Sequence, residues 1–301
     1  MIHESEPSVE ESLGSRYVPR MGSGTIAAFY AATLLLMLVL RRVSRPLLRR
    51  ADGQSLLGEN RATSVAEAGV VLAISIVAAG VVKNCVHGES LVTDTIWCLG
   101  FSVLGFVLLE LTGFVGTRVL LHKQLSSSIA QGNVAAGLAS AFHYVATGII
   151  TAKAVAGSDL RGIGLSLAFF ALAEVAQQIV VGLFRLLTTY DDSEQIAGEN
   201  MAAAISYGGV SIAVSVVIAR ALDGDFVDWP SALSGFGMLV AMTLVLYPVR
   251  QLIVQGLILG AMPTLRGGAL DKAIGVDRNV GAAALEAAAY AGTALAVGIL
   301  A

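Results

Sequence analysis

Long apolar blocks broken by short polar segments set the rhythm of this chain. Eight blocks can be marked, over about 24–40, 60–82, 95–119, 133–155, 162–187, 200–222, 230–246 and 279–301. Most are near 20 residues, the length at which a helix crosses a hydrocarbon core of roughly 30 Å. The pattern predicts an all-α, polytopic integral membrane protein with eight transmembrane helices.

A short phrase recurs before every second block. It reads Gly58-Glu59-Asn60, Gln131-Gly132-Asn133, Gly198-Glu199-Asn200 and Asp277-Arg278-Asn279. The four Asn residues lie 73, 67 and 79 residues apart, and each is followed by small residues, chiefly Ala, and then a long apolar run. Repetition at a near-fixed period is the signature of a copied structural unit. The unit here is a helical hairpin: a long first helix, a polar loop, the Asn phrase and an Ala-rich second helix. Two helices per unit keep all four units the same way up, a parallel repeat. Gly-Glu-Asn occurs in units one and three only, which suggests a duplicated pair. The expected organisation is an exposed polar tail over 1–22, a four-helix membrane domain over 23–156 and a second over 157–301. The boundary falls in the Gly157-Ser158-Asp159 loop.

Composition agrees with the pattern. The 301 residues are 55% hydrophobic and 14% charged, with mean hydropathy +0.76. Soluble domains carry about 25% charged residues. The net charge of −3 matters less than where Lys and Arg fall. The Asn-bearing side holds 13 of the 19 and the opposite side six. The positive-inside rule then places the four Asn phrases in the cytoplasm and both termini outside. The acidic stretch before residue 22 lacks the basic start of a cleavable signal peptide. Nucleic-acid binding is not expected, since the basic residues form no patch interleaved with aromatics. The first helices of units two to four run longer than a bilayer needs and should extend into the cytoplasmic interface. Pro248 should kink the seventh.

An Asn phrase opening an Ala-rich transmembrane helix resembles a bacterial inner-membrane family catalogued as domain of unknown function 350. The resemblance covers all four units, although the fourth has Asp277-Arg278 where Gly-Glu would stand. It implies a bacterial inner-membrane location and a link to envelope stress. It carries over no catalytic residue.

Candidate residues fall into three sets. Asn60, Asn133, Asn200 and Asn279 suit helix N-caps. The positive ends of their helices, with Arg118, Arg185 and Arg266 nearby, could also attract anions. Arg41, Arg42, Arg45, Arg49 and Arg50 form a dense basic cluster, and all eight arginines are candidate contacts for anionic lipid. Glu67, Glu110, His143, Glu174 and Glu286 are ionisable groups at membrane depth, where charge costs at least ~2.5–3.5 kcal/mol. Glu67 and Glu286 each stand seven residues past their Asn, roughly 10 Å into the helix. Tyr207 holds that place in unit three. His143, ten past its Asn, shares the face. These groups either hold helices together as neutral or hydrogen-bonded pairs, or line a polar path for protons or cations.

Signatures of catalysis are absent: no phosphate loop, no HExxH, no GxSxG and no Cys/His set with metal spacing. No cofactor is expected. Cys85 and Cys98 flank an outer loop and either pair on the oxidising side or remain two buried thiols. The leading expectation is a non-enzymatic membrane protein for envelope maintenance, whose basic cytoplasmic face engages membrane lipids or a soluble partner. The alternative is a proton-coupled transporter or ion channel using the buried acids. Oligomeric state is not legible.

Overall fold

The copied hairpins are present, and each helix begins where its Asn predicts. The computed structural model describes residues 22–47, 60–88, 90–120, 125–223 and 226–300. Residues 1–21, and with them the tail expected over 1–22 except its last residue, lie outside the described residues.

In chain order the first hairpin is α1 (Ser23–Leu47) and α2 (Arg61–Cys85). The second is α3 (Leu91–Leu120), a short α4 (Leu125–Ala130) and α5 (Val134–Ala154). The third is α6 (Leu160–Leu186), a short α7 (Asp192–Ala197) and α8 (Met201–Arg220). The fourth begins with α9 (Trp229–Met242), which runs on through a tight turn to α10 (Leu246–Val249) and a wide turn over Arg250–Ile258. It ends with the short α11 (Ala269–Gly275) and α12 (Val280–Leu300). Among the described residues eight helical segments are long and apolar enough to cross a membrane.

The four second helices form the spine, with α2 on α5, α5 on α8 and α8 on α12. Small residues make this approach close. Ala62 meets Gly137, Gly69 meets Ala141, Ala73 meets Gly148 and Gly80 meets Ala152. The numbers rise together along both helices, so α2 and α5 run parallel. Backbones this close gain dispersion and interhelical contact, which hold helices together when lipid surrounds them. The first helices turn large apolar side chains outward, among them Leu35, Val39, Val107, Leu111, Val175 and Ile179. In the most apolar stretches of α5 and α8, 72% and 78% of residues are buried. In α12 the share is 22%, because it ends the row and has a spine neighbour on one side only.

The Asn residues do more than start helices. Asn60 Oδ1 accepts from Thr63 N at 3.1 Å, and Asn133 Oδ1 from Ala136 N at 3.0 Å. Their Nδ2 groups reach into the following hairpin. Asn60 donates to Ile129 O and Ala130 O, Asn133 to Ile196 O and Ala197 O, and Asn200 to Ile274 O. Those carbonyls end α4, α7 and α11, where helical partners run out; Ile129 O and Ile196 O also accept from the left-handed residue that follows. One side chain thus satisfies a helix start in its own unit and a helix end in the next. The links also place these Asn residues at one end of the molecule.

The short helices escape a reading by apolar blocks, because six or seven residues give no periodicity. They close in a left-handed residue just before the Asn: Gly132 at φ 92°, Glu199 at 62° and Arg278 at 51°. In α4 and α7 the Asn N–H bonds the carbonyl five residues back, while the left-handed residue bonds the one three back. That is the Schellman arrangement, which favours Gly. Glu199 occupies it at some backbone cost, and Arg278 carries the same left-handed cost at the end of α11.

The ladder separates Asn from Asp. Asn133→Asp keeps the cap but sets a carboxylate against two carbonyls, and should cost about 2 kcal/mol or more. Asn279→Asp should be close to neutral, since the α12 N-terminus favours negative charge. Thermal unfolding in detergent compares the two, and equal losses would remove the ladder from the account.

Pro248 acts as expected in part. It has no N–H to bond Leu244 and its ring crowds that carbonyl. The helix adjusts with a tight turn over Thr243–Val245 and a wide one over Arg250–Ile258. The wide turn buries Arg250, Gln251, Val254 and Gln255 together.

Candidate functional site

The buried acids fall into separate groups. In the first hairpins Arg41, 4% exposed, comes from the end of α1. Its Nη1 bonds both oxygens of Glu110 at 2.8 Å, and its Nη2 bonds Glu67 Oε1 at 2.6 Å. One guanidinium therefore joins α1, α2 and α3. In the fourth hairpin Arg250 plays the same part. Its Nε bonds Glu286, its Nη2 bonds Asp271, and all three side chains are 1% exposed. Ser206 Oγ on α8 donates to the other Glu286 oxygen at 2.5 Å. Thr189 N and Oγ1 donate to Asp271 at 2.7 and 3.0 Å.

The third hairpin repeats the idea with different chemistry. Arg185 Nε bonds Asp192 at 2.8 Å, and its guanidinium lies 5.8 Å from the centre of the Tyr207 ring. A cation over an aromatic face is attracted by the ring quadrupole. Burial pushes the Asp192 carboxyl up to about 6, a rise that Arg185 opposes and that Glu286 and Asp191 reinforce. Tyr207 Oη meets His143 Nδ1 on α5 at 3.1 Å. A cavity of about 20 Å³, room for about one water, lies between Arg185, Asp192, Tyr207, Arg250, Glu286 and Tyr290. Arg250 Nη1 is buried and makes no hydrogen bond among the described residues.

Glu174 is different. It sits midway along α6, 6% exposed, and neither carboxyl oxygen has a hydrogen-bond partner among the described residues. The Thr147 hydroxyl of α5 and the Gln178 side chain are close enough to interact with its carboxyl, short of full hydrogen-bond geometry. Thr147 Oγ1 and Gln178 Oε1 are also buried without a well-formed bond, and His143, one turn away on α5, lies beside the backbone of Thr112. Buried polar atoms are nearly always satisfied, and here four oxygens on three neighbouring side chains lack a well-formed hydrogen bond among the described residues. Carboxylate, hydroxyl and amide oxygens suit a proton or a hard cation. This centre lies where α5 of the first pair of hairpins meets α6 of the second. Two turns along α6, Ser166 lines a cleft of about 660 Å³ at the end opposite the Asn ladder. Lys153, Asp159, Arg161, Arg220 and Asp223 line it too.

The expected single path is thus divided. Glu67 and Glu110 are gathered on Arg41, Glu286 on Arg250, and His143 on Tyr207 at the spine. Glu174 has its own surroundings. The basic set is divided as well. Arg41 is buried and ion-paired, so it does not face lipid. Arg185 is half-buried against Asp192. Arg42 and Arg266 are exposed. Arg49, Arg50 and the side chains of Arg45 and Arg118 lie outside the described residues. Cys85 and Cys98 are buried free thiols, and Thr33 Oγ1 lies 3.2 Å from the Cys98 sulfur. Among the described residues no three His, Cys, Asp or Glu side chains converge as metal ligands.

Sequence reasoning missed Arg250 and Asp271 as site residues. A signal existed: every hairpin carries at least one Arg towards the Asn end of its first helix, among them 41, 118, 185 and 250. In units one and four the seventh residue after the Asn is the Glu that this Arg holds.

Two segments of the chain, 17–155 and 158–300, match the family described as Domain of Unknown Function (DUF350). Together they span nearly all of the sequence, and the chain belongs to that family as two tandem copies. No curated protein and no solved structure matches it.

Proposed function

We propose that this two-copy member of the DUF350 family passes a small cation, H⁺ or Na⁺, across the bacterial inner membrane, with Glu174 as its binding group. The reading rests on one observation, a carboxyl buried midway along α6 with Thr147 and Gln178 beside it and neither a well-formed hydrogen bond nor a cation on it among the described residues. An unpaired carboxylate there is expensive, and a proton or cation is what would offset the cost. The cleft near Ser166 supplies a polar approach from one side. Tyr207, Arg185 and Asp192 supply titratable and polar groups towards the other, which the positive-inside rule makes cytoplasmic. The chain then acts as a conduit and not as a catalyst. Its envelope role would follow from membrane ion balance.

Proteoliposomes under an imposed pH or Na⁺ gradient test this. The parent protein should show flux of one of the two ions. Glu174→Gln should lose at least about tenfold, which corresponds to 1.4 kcal/mol or more. Glu174→Gln should also melt no lower than the parent, since it removes a buried charge. Absence of flux for both ions, or undiminished flux in Glu174→Gln, would overturn the proposal.

A second reading draws on Arg42 and Arg266, exposed members of the basic set. They suit anionic lipid headgroups or a soluble partner at the Asn end.

A further inference from the structure

The three spine interfaces share one register. Counting from the Asn, the ninth residue of one helix lies on the eighth residue of the next. Gly69 lies on Ala141, Phe142 on Gly208 and Gly209 on Ala287. The leading face of α2 reads Ala62, Gly69, Ala73 and Gly80, at positions two, nine, thirteen and twenty. In α12 those positions are Gly281, Ala288, Gly292 and Ile299, and all four are exposed. A Cβ at Gly292 would meet nothing within 4 Å.

The receiving face behaves likewise. On α5 it reads Gly137, Ala141, Gly148 and Ala152, at positions four, eight, fifteen and nineteen. In α2 those positions are Ser64, Ala68, Ser75 and Ala79, all small. Ala68 and Ala79 are exposed and the two serines half-buried. Among the described residues the chain therefore carries a leading face with no helix on it at one end of the spine, and a receiving face with no spine helix on it at the other. The Asn ladder stops at the same place. Asn279 Oδ1 accepts from Ala282 N at 3.0 Å, but its Nδ2 has no acceptor among the described residues. The outward faces of α1, α3 and α6 are Leu, Val and Ile, which suit lipid. Small residues exposed to lipid gain little there and permit close helix approach.

We infer that the leading face of α12 in one copy packs on the receiving face of α2 in a second copy, in the register of the internal interfaces. Copies then associate head to tail, with Ala288 against Ala68 and Gly292 against Ser75. The occupant is a second copy because the interface continues one that the chain already makes three times, with small residues at every matching position on both faces except Ile299, near the end of α12. Such contacts are heterologous and build rings or rows, not two-fold dimers.

Cysteine cross-linking in native membranes tests the inference independently of ion flux. Chains with Ala288→Cys and chains with Ala68→Cys are co-expressed, both with Cys85 and Cys98 changed to Ala. Oxidation should give a 288–68 product, and one chain bearing both cysteines should give products larger than a dimer. Gly292→Leu should abolish the product while leaving the melting temperature unchanged, since no described residue lies within 4 Å of a Cβ there. A predominant 288–288 product, exclusively monomeric chains, or cross-linking unaffected by Gly292→Leu would overturn it.

Discussion

Replacing Arg250 with Met is expected to cost about 3–5 kcal/mol of stability, the usual result of removing one partner from a buried charge cluster. Its guanidinium holds Glu286 and Asp271, and both carboxylates are 1% exposed. Without it they retain Ser206 and Thr189 as donors. Those neutral groups do not balance two buried negative charges. The melting temperature in detergent should fall by on the order of 10 °C. Arg250→Lys should not restore it, because an ammonium lacks the planar fork that spans two carboxylates. Adding Asp271→Asn and Glu286→Gln to Arg250→Met should recover much of the loss. A melting temperature for Arg250→Met within about 2 °C of the parent would show that the cluster does not hold the fourth hairpin.

Gly69→Val is expected to separate α2 from α5. A Cβ at Gly69 would lie 2.3 Å from Ala141 Cα and 2.7 Å from its carbonyl oxygen. Both are backbone atoms, so no rotamer relieves the clash and one helix must move. Overpacking of this kind costs about 1–3 kcal/mol, and more when backbone is displaced. Because α5 also carries His143, Thr147 and the contact with α8, the shift should reach the Glu174 centre. Gly69→Val should thus lower both melting temperature and cation flux. Gly182→Ala on α6 is the control. Nothing lies within 4 Å of a Cβ there, and Ala in a helix interior gains up to about 1 kcal/mol. Equal behaviour of the two variants would mean that close packing of the spine is not what positions the centre.

The candidate site was legible as residue types but not as a set. Glu67, Glu110, His143, Glu174 and Glu286 all stand out as charge or imidazole within apolar runs. Their grouping did not follow from depth. Glu67 and Glu286 share a position in their helices, yet each is held by an arginine of its own hairpin. His143 meets Tyr207 because α5 and α8 are spine neighbours, which spacing along the chain does not say. Glu174 is distinguished from Glu110 only by the absence of a cation opposite it. The short helices α4, α7 and α11 were hidden for another reason. They are too brief to show a period, and left-handed backbone at Glu199 and Arg278 has no Gly to mark it.

The sequence by itself determined the membrane class, the eight spans, their fourfold pairing, the shared direction of the hairpins and the Asn at each second-helix start. These depend on local run length, hydropathy and capping, which are written in consecutive residues. Tertiary structure alone decided that the Asn side chains bridge one hairpin to the next and that Arg41 and Arg250 are buried. It also decided that Glu174 lies among oxygens without well-formed hydrogen bonds and that α12 ends the row with a bare face. Those outcomes depend on which faces of parallel helices meet, and that is set by backbone approach between residues far apart in the chain.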